Sequence, residues 1–558
     1  MAVLTMKFNY LSSIVLFAII STLLGCSDNT NSLLSERSII YCSEGSPESF
    51  NPQLSTSGTT SDATSRLLYN SLIVYKEDNT LGPSIAKSWH VTRDGKKITF
   101  YLRNDIPFHQ TSYFTPTRTL NADDVLFSFN RVLDKKHLFH QVSGGNYPFF
   151  QSVRFPDLVE RIEKINDYTV RFILKRNDSS FLANLATDYA VVLSEEYAQQ
   201  LSKNNSHHEI DILPVGTGPF MLKDYRVGSL IRFYRHENYW QEKAKIDQLV
   251  YDISPSKTTR LTKLLAKECD VSSYPIAHEK IEERKDLLLE SVTSLNVGYF
   301  GFNTKKPPFD NKLVRQAISL AINKQALIDT VYRSQAARAK SILPETSWAY
   351  DKNIPESIYD PVRAKSLLEI AGYAQGFTMD IWAMPVQRAY NPNAVTMAKL
   401  IQADLKKVGV KVKIISYEWS TFLRRLSLGE HQSFLLGWSA DHPDPDNFFT
   451  PMLSCSQSKL GNNRTFWCNK EYDQLLQQAL ETTSMSKRKQ YYAKAMAIIN
   501  EEVPLLPIAH SKRFQARGTN VQGNILANFG GISFHHVSKD SLSKDESEKP
   551  SQSPQVNQ

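Results

Sequence analysis

The sequence predicts an α/β protein of two lobes, with a hairpin-rich piece inserted near residues 75–220. Three observations carry this. The chain has 558 residues, more than one hydrophobic core usually serves. Its hydrophobic content of 41% and charged content of 22% are those of a globular chain. Short β-prone runs alternate with stretches of helical period, which is the pattern of mixed layers.

The chain opens on an export signal. Lys7 precedes an apolar run from Leu11 to Leu24, which is too short for a comfortable membrane span. The run ends in Leu23-Leu24-Gly25-Cys26, which is similar to a bacterial lipoprotein box. The expectation is a signal peptide over 1–25, with Cys26 acylated as the mature N-terminus. Met6, directly before Lys7, is an alternative start. A polar tether over 26–38 would follow. Lipid at Cys26 would give lasting attachment, and the folded part would lie outside the cytoplasm.

The first strand candidate is Ile39-Ile40-Tyr41-Cys42, broken by Ser46-Pro47 and a turn at Asn51-Pro52. Helical spacing covers Thr64 to Ile73. Trp89–Thr92 and Lys97–Leu102 flank Asp94-Gly95, a strong hairpin signal. A similar unit pairs Arg161–Ile165 with Tyr168–Leu174. Between them Asn121 caps a helix, with Asp124 at its third position and Val125, Phe129 and Val132 on its apolar side. Further on, Lys312–Val331 reads as one helix, and 361–371 and 394–408 as two more. Val410–Ile414 alternates as a strand does, and helices dominate from Asn469 to Ile499. Glu502–Ile508 is an extended return segment. Residues 538–558 carry few apolar side chains and are expected to be disordered.

The formal charge of +8 is spread thinly, without a dense basic block, so nucleic-acid binding is not expected. Apart from Cys26 the cysteines are Cys42, Cys269, Cys455 and Cys468. Four cysteines permit three pairings, and export permits disulfides. The spacing of Cys455 and Cys468 suits a local loop, which would leave Cys42 with Cys269, but spacing alone does not choose. No metal-ligand spacing is present. Nor is there a G-x-S-x-G elbow, an H-E-x-x-H helix, a P-loop or a dinucleotide-binding glycine motif, which argues against an enzyme.

Three segments carry the candidate chemistry. Asp441, Asp444 and Asp446 lie within six residues beside Trp438, Phe448 and Phe449. A buried carboxylate among aromatics can hold an ammonium group. The same carboxylates also fit a solvated turn or, weakly, the acid pair of a secreted hydrolase. Arg388 stands alone in the apolar and aromatic stretch 382–393 and needs an anion, either a structural Asp or Glu or a ligand carboxylate. Ser57-Gly58-Thr59-Thr60 could expose backbone groups to a ligand, or be a plain turn.

These segments resemble the periplasmic dipeptide-binding proteins of bacterial ABC importers. That family 5 of extracellular solute-binding proteins includes haem- and glutathione-binding lipoproteins and binding proteins for antimicrobial-peptide uptake. The resemblance covers about 39–537. It includes Cys42–Glu48, Asn51–Leu54, Leu120–Val125, Gly216–Phe220, Leu295–Tyr299 and Val314–Ala317, and is most specific over 382–393 and 437–449. It implies a two-lobed periplasmic-binding-protein fold with an inserted subdomain and a hinge between lobes. Lobe I would span 39–295 and 510–537, with the insert at about 75–220, and lobe II would span 296–509. It implies disulfides Cys42–Cys269 and Cys455–Cys468, and no cofactor of the protein's own. Asp441 would take a peptide's ammonium and Arg388 its carboxylate. Ser57, Gly58 and Thr59 would give backbone contacts, and Trp419, Trp438 and Tyr390 would line the pocket. The implied partners are a short peptide and an inner-membrane ABC permease. The implied setting is the periplasm of a Gram-negative bacterium, with the protein a monomer. Typical dipeptide binders are free there, whereas the Cys26 box makes this chain a membrane-anchored lipoprotein, as the haem and glutathione binders are. Haem or glutathione is the alternative ligand. The chain departs from the dipeptide-binding pattern after Asp441, where it reads His-Pro-Asp-Pro-Asp, and in its lipid box and tail.

Overall fold

The computed structural model describes residues 37–540; the leader, Cys26, most of the tether and residues 541–558 lie outside the described residues. Two large, separate apolar cores form, with a small third cluster of Leu264, Ile281, Leu287 and Ala516. One runs from Ile39 to Val271 and takes in Val521 to Val537 near the end of the chain. The other runs from Leu295 to Ala509 and adds Phe529. Two cores of this size make two lobes, and the mixed α/β architecture is bilobed.

A single sheet passes through both. Its order is Lys411–Ile415, Thr378–Ala383, Ser433–Ser439, Asn296–Phe302, Leu505–Gly518, Val271–Ser273, Ser38–Ser43, Gln248–Ile253, Leu230–Arg235 and Phe220–Arg226. The 14-residue strand Leu505–Gly518 is the link. Its first half pairs with Asn296–Phe302, and its second half with Leu287–Thr293 and Val271–Ser273. The chain therefore crosses between lobes twice, side by side, near 293–296 and 509–512. Asn296 fastens the two crossings. Its Nδ2 donates to Ser511 O at 3.0 Å, and its Oδ1 accepts from Ser511 N at 3.0 Å.

The predicted hairpins build a separate four-stranded sheet, ordered Ala86–Val91, Lys97–Leu102, Thr169–Leu174, Val159–Asn166. Gly95 takes a φ of +69°, the left-handed turn geometry that favours glycine. The helix Ala122–Leu133 starts where its cap predicts. Asp123 N donates to Asn121 Oδ1 and Asn121 N to Asp124 Oδ2, both at 2.9 Å. Cys42 is joined to Cys269 and Cys455 to Cys468. The first bridge ties strand Ser38–Ser43 to the segment entering Val271–Ser273.

Four sequence expectations shift. The helix expected over Thr64–Ile73 is Gly58–Leu68, and Ile73 starts a strand. Gly218 N bonds Leu68 O at 3.0 Å and so occupies a carbonyl at the helix end. Ser57-Gly58-Thr59 is thus the start of the helix rather than a turn before it. Lys312–Val331 is two helices, Lys312–Ala321 and Lys324–Val331. Asn323 caps the second by accepting from Ala326 N at 3.1 Å, while its own N–H is taken by Asp404 Oδ2 at 3.0 Å. Lastly, Ser538–Lys539, given to the tail by composition, pairs with Val521–Gln522, and Lys539 Nζ reaches Asp270 at 2.8 Å.

Candidate functional site

The loop after Ser433–Ser439 places the three carboxylates differently. Ala440 N bonds Leu295 O at 2.7 Å, which aims the next residue at the other lobe. Asp441 is half-buried. Tyr189 of the first lobe donates its hydroxyl to Oδ1 at 3.2 Å, and Asn447 Nδ2 donates to Oδ2 at 3.3 Å. Asn447 Oδ1 in turn accepts from Asp441 N at 3.0 Å and Trp438 Nε1 at 3.1 Å. Among the described residues no cation pairs with Asp441. Burial pushes its carboxyl up to about 7, opposed by the Asn447 and Tyr189 hydrogen bonds, with nearby Asp188 adding to the rise.

Asp444 and Asp446 have other work. Asp444 is buried against Arg488 at 2.8 Å, and Arg488 also bonds Ala479 O and Tyr492. Asp446 accepts from Thr450 Oγ1 at 2.6 Å, and burial pushes it up to about 8. His442 is buried and bridges the lobes. Its Nδ1 accepts from Asp444 N at 3.2 Å, so the proton lies on Nε2, which reaches Asn184 Oδ1 at 3.0 Å. Burial lowers its pKa to about 4 and keeps it neutral.

Arg388 sits in a tight loop in which Arg388 and Asn391 exchange backbone hydrogen bonds at 3.2 and 3.1 Å. Ser511 Oγ holds this loop to the crossing strand through Ala389 O at 2.6 Å. Tyr332 OH holds Tyr390 O at 2.7 Å. Tyr390 lies directly over Gly298 and Gly437, which face each other on adjacent strands. A Cβ on Gly298 would stand 2.1 Å from Tyr390 O, and one on Gly437 2.2 Å from the Tyr390 ring. Both glycines are needed for the loop to seat.

The Arg388 guanidinium lies 6.0 Å from the Tyr274 ring and 5.8 Å from Trp419. Its only acidic neighbour at ion-pair range among the described residues is Glu44 of the first lobe, at a long 3.8 Å. Burial works against the charge, but Tyr274 and Glu44 outweigh it and hold the pKa above the usual arginine value.

The start of helix Gly58–Leu68 lies on the same side. Ser57 Oγ and Thr59 Oγ1 are 2.8 Å apart, and Thr59 is against Gly45, next to Glu44. One turn along, buried Asp62 accepts from Ile532 N at 3.0 Å. Burial pushes it up to about 7, Arg513 opposes this, and Glu44 and Asp188 add to it. Asp188 itself pairs with Arg66 at 2.8 Å. The cleft between lobes thus has Glu44 and Tyr274 of the first lobe at Arg388 and Tyr189 at Asp441, with Asp62 and Asp188 close to one another on the first lobe.

The structure brings Trp419 to Arg388, seats Tyr390 over Gly298 and Gly437, links Trp438 to Asp441 through Asn447, and packs Thr59 against Gly45, next to Glu44. Trp438 acts through Asn447. The sequence does not single out Glu44, Tyr189, Tyr274, Asp188 or Asn447. Asn447 lies inside the 437–449 motif, and its side chain follows from the loop; the others are brought in from more than 100 residues away and carry no local signal.

The family model for bacterial extracellular solute-binding proteins, family 5 (middle) matches residues 80–459. The chain belongs to this family. Its curated relatives include the dipeptide-binding protein of Escherichia coli K12, 44% identical over 505 residues, covering 90% of this chain and 94% of that one. The heme-binding protein A of Haemophilus influenzae is 42% identical over 512 residues, covering 91% and 93%. A solved dipeptide-binding protein of Pseudoalteromonas sp. SM9913, in complex with Met-Leu, superposes with a TM-score of 0.86 at 49% identity, covering 90% of this chain and all of that one. A family 5 protein is a carrier and not an enzyme. The hydrolase alternative falls with this, and Asp444 and Asp446 are accounted for by Arg488 and Thr450. Membership also puts the folded chain outside the cytoplasm.

Proposed function

We propose that this protein captures dipeptides and similar short peptides in the cleft between its lobes and delivers them to an inner-membrane ABC importer. The observation that carries this is the pair of under-partnered opposite charges that lobe II presents to lobe I. Asp441 has only neutral hydrogen-bond donors, and Arg388 has one hydrogen bond to the Gln387 carbonyl at 2.9 Å and, as its sole acidic partner among the described residues, a long contact to Glu44. A zwitterion supplies what each lacks. The peptide ammonium meets Asp441, steadied by Tyr189 and Asn447. The carboxylate meets the planar fork of Arg388 and displaces Glu44 as its partner. Ser57, Gly58 and Thr59 offer backbone groups at a helix start, and Trp419, Trp438 and Tyr390 line or support the walls. The relative that binds Met-Leu and the dipeptide-binding relatives support the ligand class.

Both charges stand on lobe II, and lobe I supplies part of the surroundings of each, Glu44 and Tyr274 at Arg388 and Tyr189 at Asp441, so a ligand held by both charges also touches lobe I and favours closure. In this reading lobe I is 39–295 with 510–537, carrying the insert at 75–220, and lobe II is 296–509. The protein works as a monomer held to the membrane through Cys26. Native mass spectrometry of the purified protein tests the ligand: dipeptide masses are expected, and a single porphyrin or glutathione mass would overturn the reading. Calorimetry tests the clamp. Arg388→Ala removes one side of a desolvated charge pair and should cost about 2–5 kcal/mol of dipeptide affinity. Unchanged affinity would remove Arg388 from the site.

A further inference from the structure

A cavity of about 330 Å³ lies between the lobes immediately beside Arg388. Its walls come from the first lobe at 274–278, from the crossing strand at 511–514, and from the second lobe at 330–335 and 387–396. Tyr274 and Phe514 give it an apolar floor. Its charged residues are all basic: Lys257, Arg333, Arg388 and Lys512, with no Asp or Glu among the lining residues. Arg333 is occupied by Glu279 at 3.1 Å. The ammonium groups of Lys257 and Lys512 have no hydrogen-bond or ion-pair partner among the described residues, and both residues are exposed at the rim. His278 also lines the space, but burial lowers its pKa, so the free positive charge belongs to the two lysines.

We infer that this cavity is a subsite for an anionic side chain, and that the protein favours peptides whose carboxyl-terminal residue is acidic. The inference rests on the dipeptide reading. If Arg388 holds the terminal carboxylate, the last side chain branches from the adjoining carbon and must enter neighbouring space. The cavity shares Arg388 as a wall and is that space. An Asp or Glu side chain there lays its methylenes on Tyr274 and Phe514 and brings a second carboxylate to two unpaired ammonium groups. A Lys or Arg side chain would meet like charges instead. Because both lysines are exposed, water and salt screen the attraction, which sets a modest preference rather than an absolute one.

The test is calorimetry on the whole protein with Ala-Ala, Ala-Gln and Ala-Glu at low and high salt. Gln matches Glu in shape and lacks its charge. Ala-Glu should bind about three- to tenfold tighter than Ala-Gln at low salt, the scale for screened rim charges. That ratio should fall toward one at high salt and in the Lys257→Gln/Lys512→Gln double variant. Equal affinity for Ala-Glu and Ala-Gln at low salt would overturn the subsite while Ala-Ala binding kept the dipeptide reading intact. A preference that survives in the double variant would also overturn it. Failure of all three peptides to bind would remove the dipeptide reading and the subsite together.

Discussion

Two arginines show how this molecule divides structure from binding. Arg131, in the first core, is wholly buried and pairs bidentately with Asp211 at 2.8 and 2.6 Å. Its Nε reaches Phe139 O and Tyr147 OH, while Asp211 accepts further from Asn51 and Ser143. Every charge there is answered within the protein. Arg388, in the cleft, has aromatic faces, one carbonyl at 2.9 Å and a 3.8 Å contact to Glu44, and Asp441 has two neutral donors. A saturated pair holds a fold and has nothing left to offer. An unsaturated pair is costly to bury and is relieved by a ligand carrying the opposite charges.

The contrast can be broken most severely at its structural end. Arg131→Ala leaves Asp211 buried and unpaired and should cost about 3–5 kcal/mol of stability, seen as a lower denaturant midpoint. Asp441→Asn should do the reverse. It removes a charge that burial already disfavours, so the thermal midpoint at pH 8 should hold or rise, while dipeptide affinity falls by about 2–5 kcal/mol. If Asp441→Asn unfolded the protein and spared affinity, the two regions would not differ in kind.

The pH dependence sharpens the same contrast. Below about 7 the free protein holds a proton on Asp441, and an ammonium ligand must displace it. Affinity should therefore be level just above pH 7 and fall as pH drops, by about 30-fold at pH 5.5. Proton release on binding, read from calorimetry in two buffers, checks the sign. A second pH test lies at Asp446. Its folded pKa of about 8 lies above the unfolded value, so the folded state keeps a proton that the unfolded chain has lost. Its contribution to stability falls from about pH 4 to pH 8 and is level above. Asp446→Asn keeps the acceptor for Thr450, and its midpoint should match the parent near pH 4 and exceed it at pH 8. A constant offset across that range would show that Asp446 stays ionised in the fold.

Much of the fold is legible locally. Strand alternation at Lys411–Ile415, the Asp94-Gly95 turn and the Asn121/Asp124 cap each act through neighbours within a few residues. The break at Ile322-Asn323 is less so. Asparagine inside an apolar period reads as an exposed helical residue, and it becomes a cap because Asp404, from another helix, takes its N–H. The site is legible in part. An isolated arginine in an apolar stretch and a cluster of carboxylates stand out as chemistry without a local partner. Which carboxylate faces the cleft does not stand out, since Asp441, Asp444 and Asp446 share one loop and differ only in what distant elements bring to them.

The sequence by itself determined the two-lobed α/β class and most caps and turns, and it drew attention to Arg388 and to the stretch holding Asp441. These depend on period, turn chemistry and charge placed against hydrophobicity, all of which are local. The tertiary structure alone decided that Arg488 neutralises Asp444, that Tyr189 and Asn447 flank Asp441, that Glu44 is the distant partner of Arg388, and that a cavity with two free lysines opens beside it. Electrostatic character depends on burial and on partners within a few ångströms, and those partners are assembled from segments far apart in the chain.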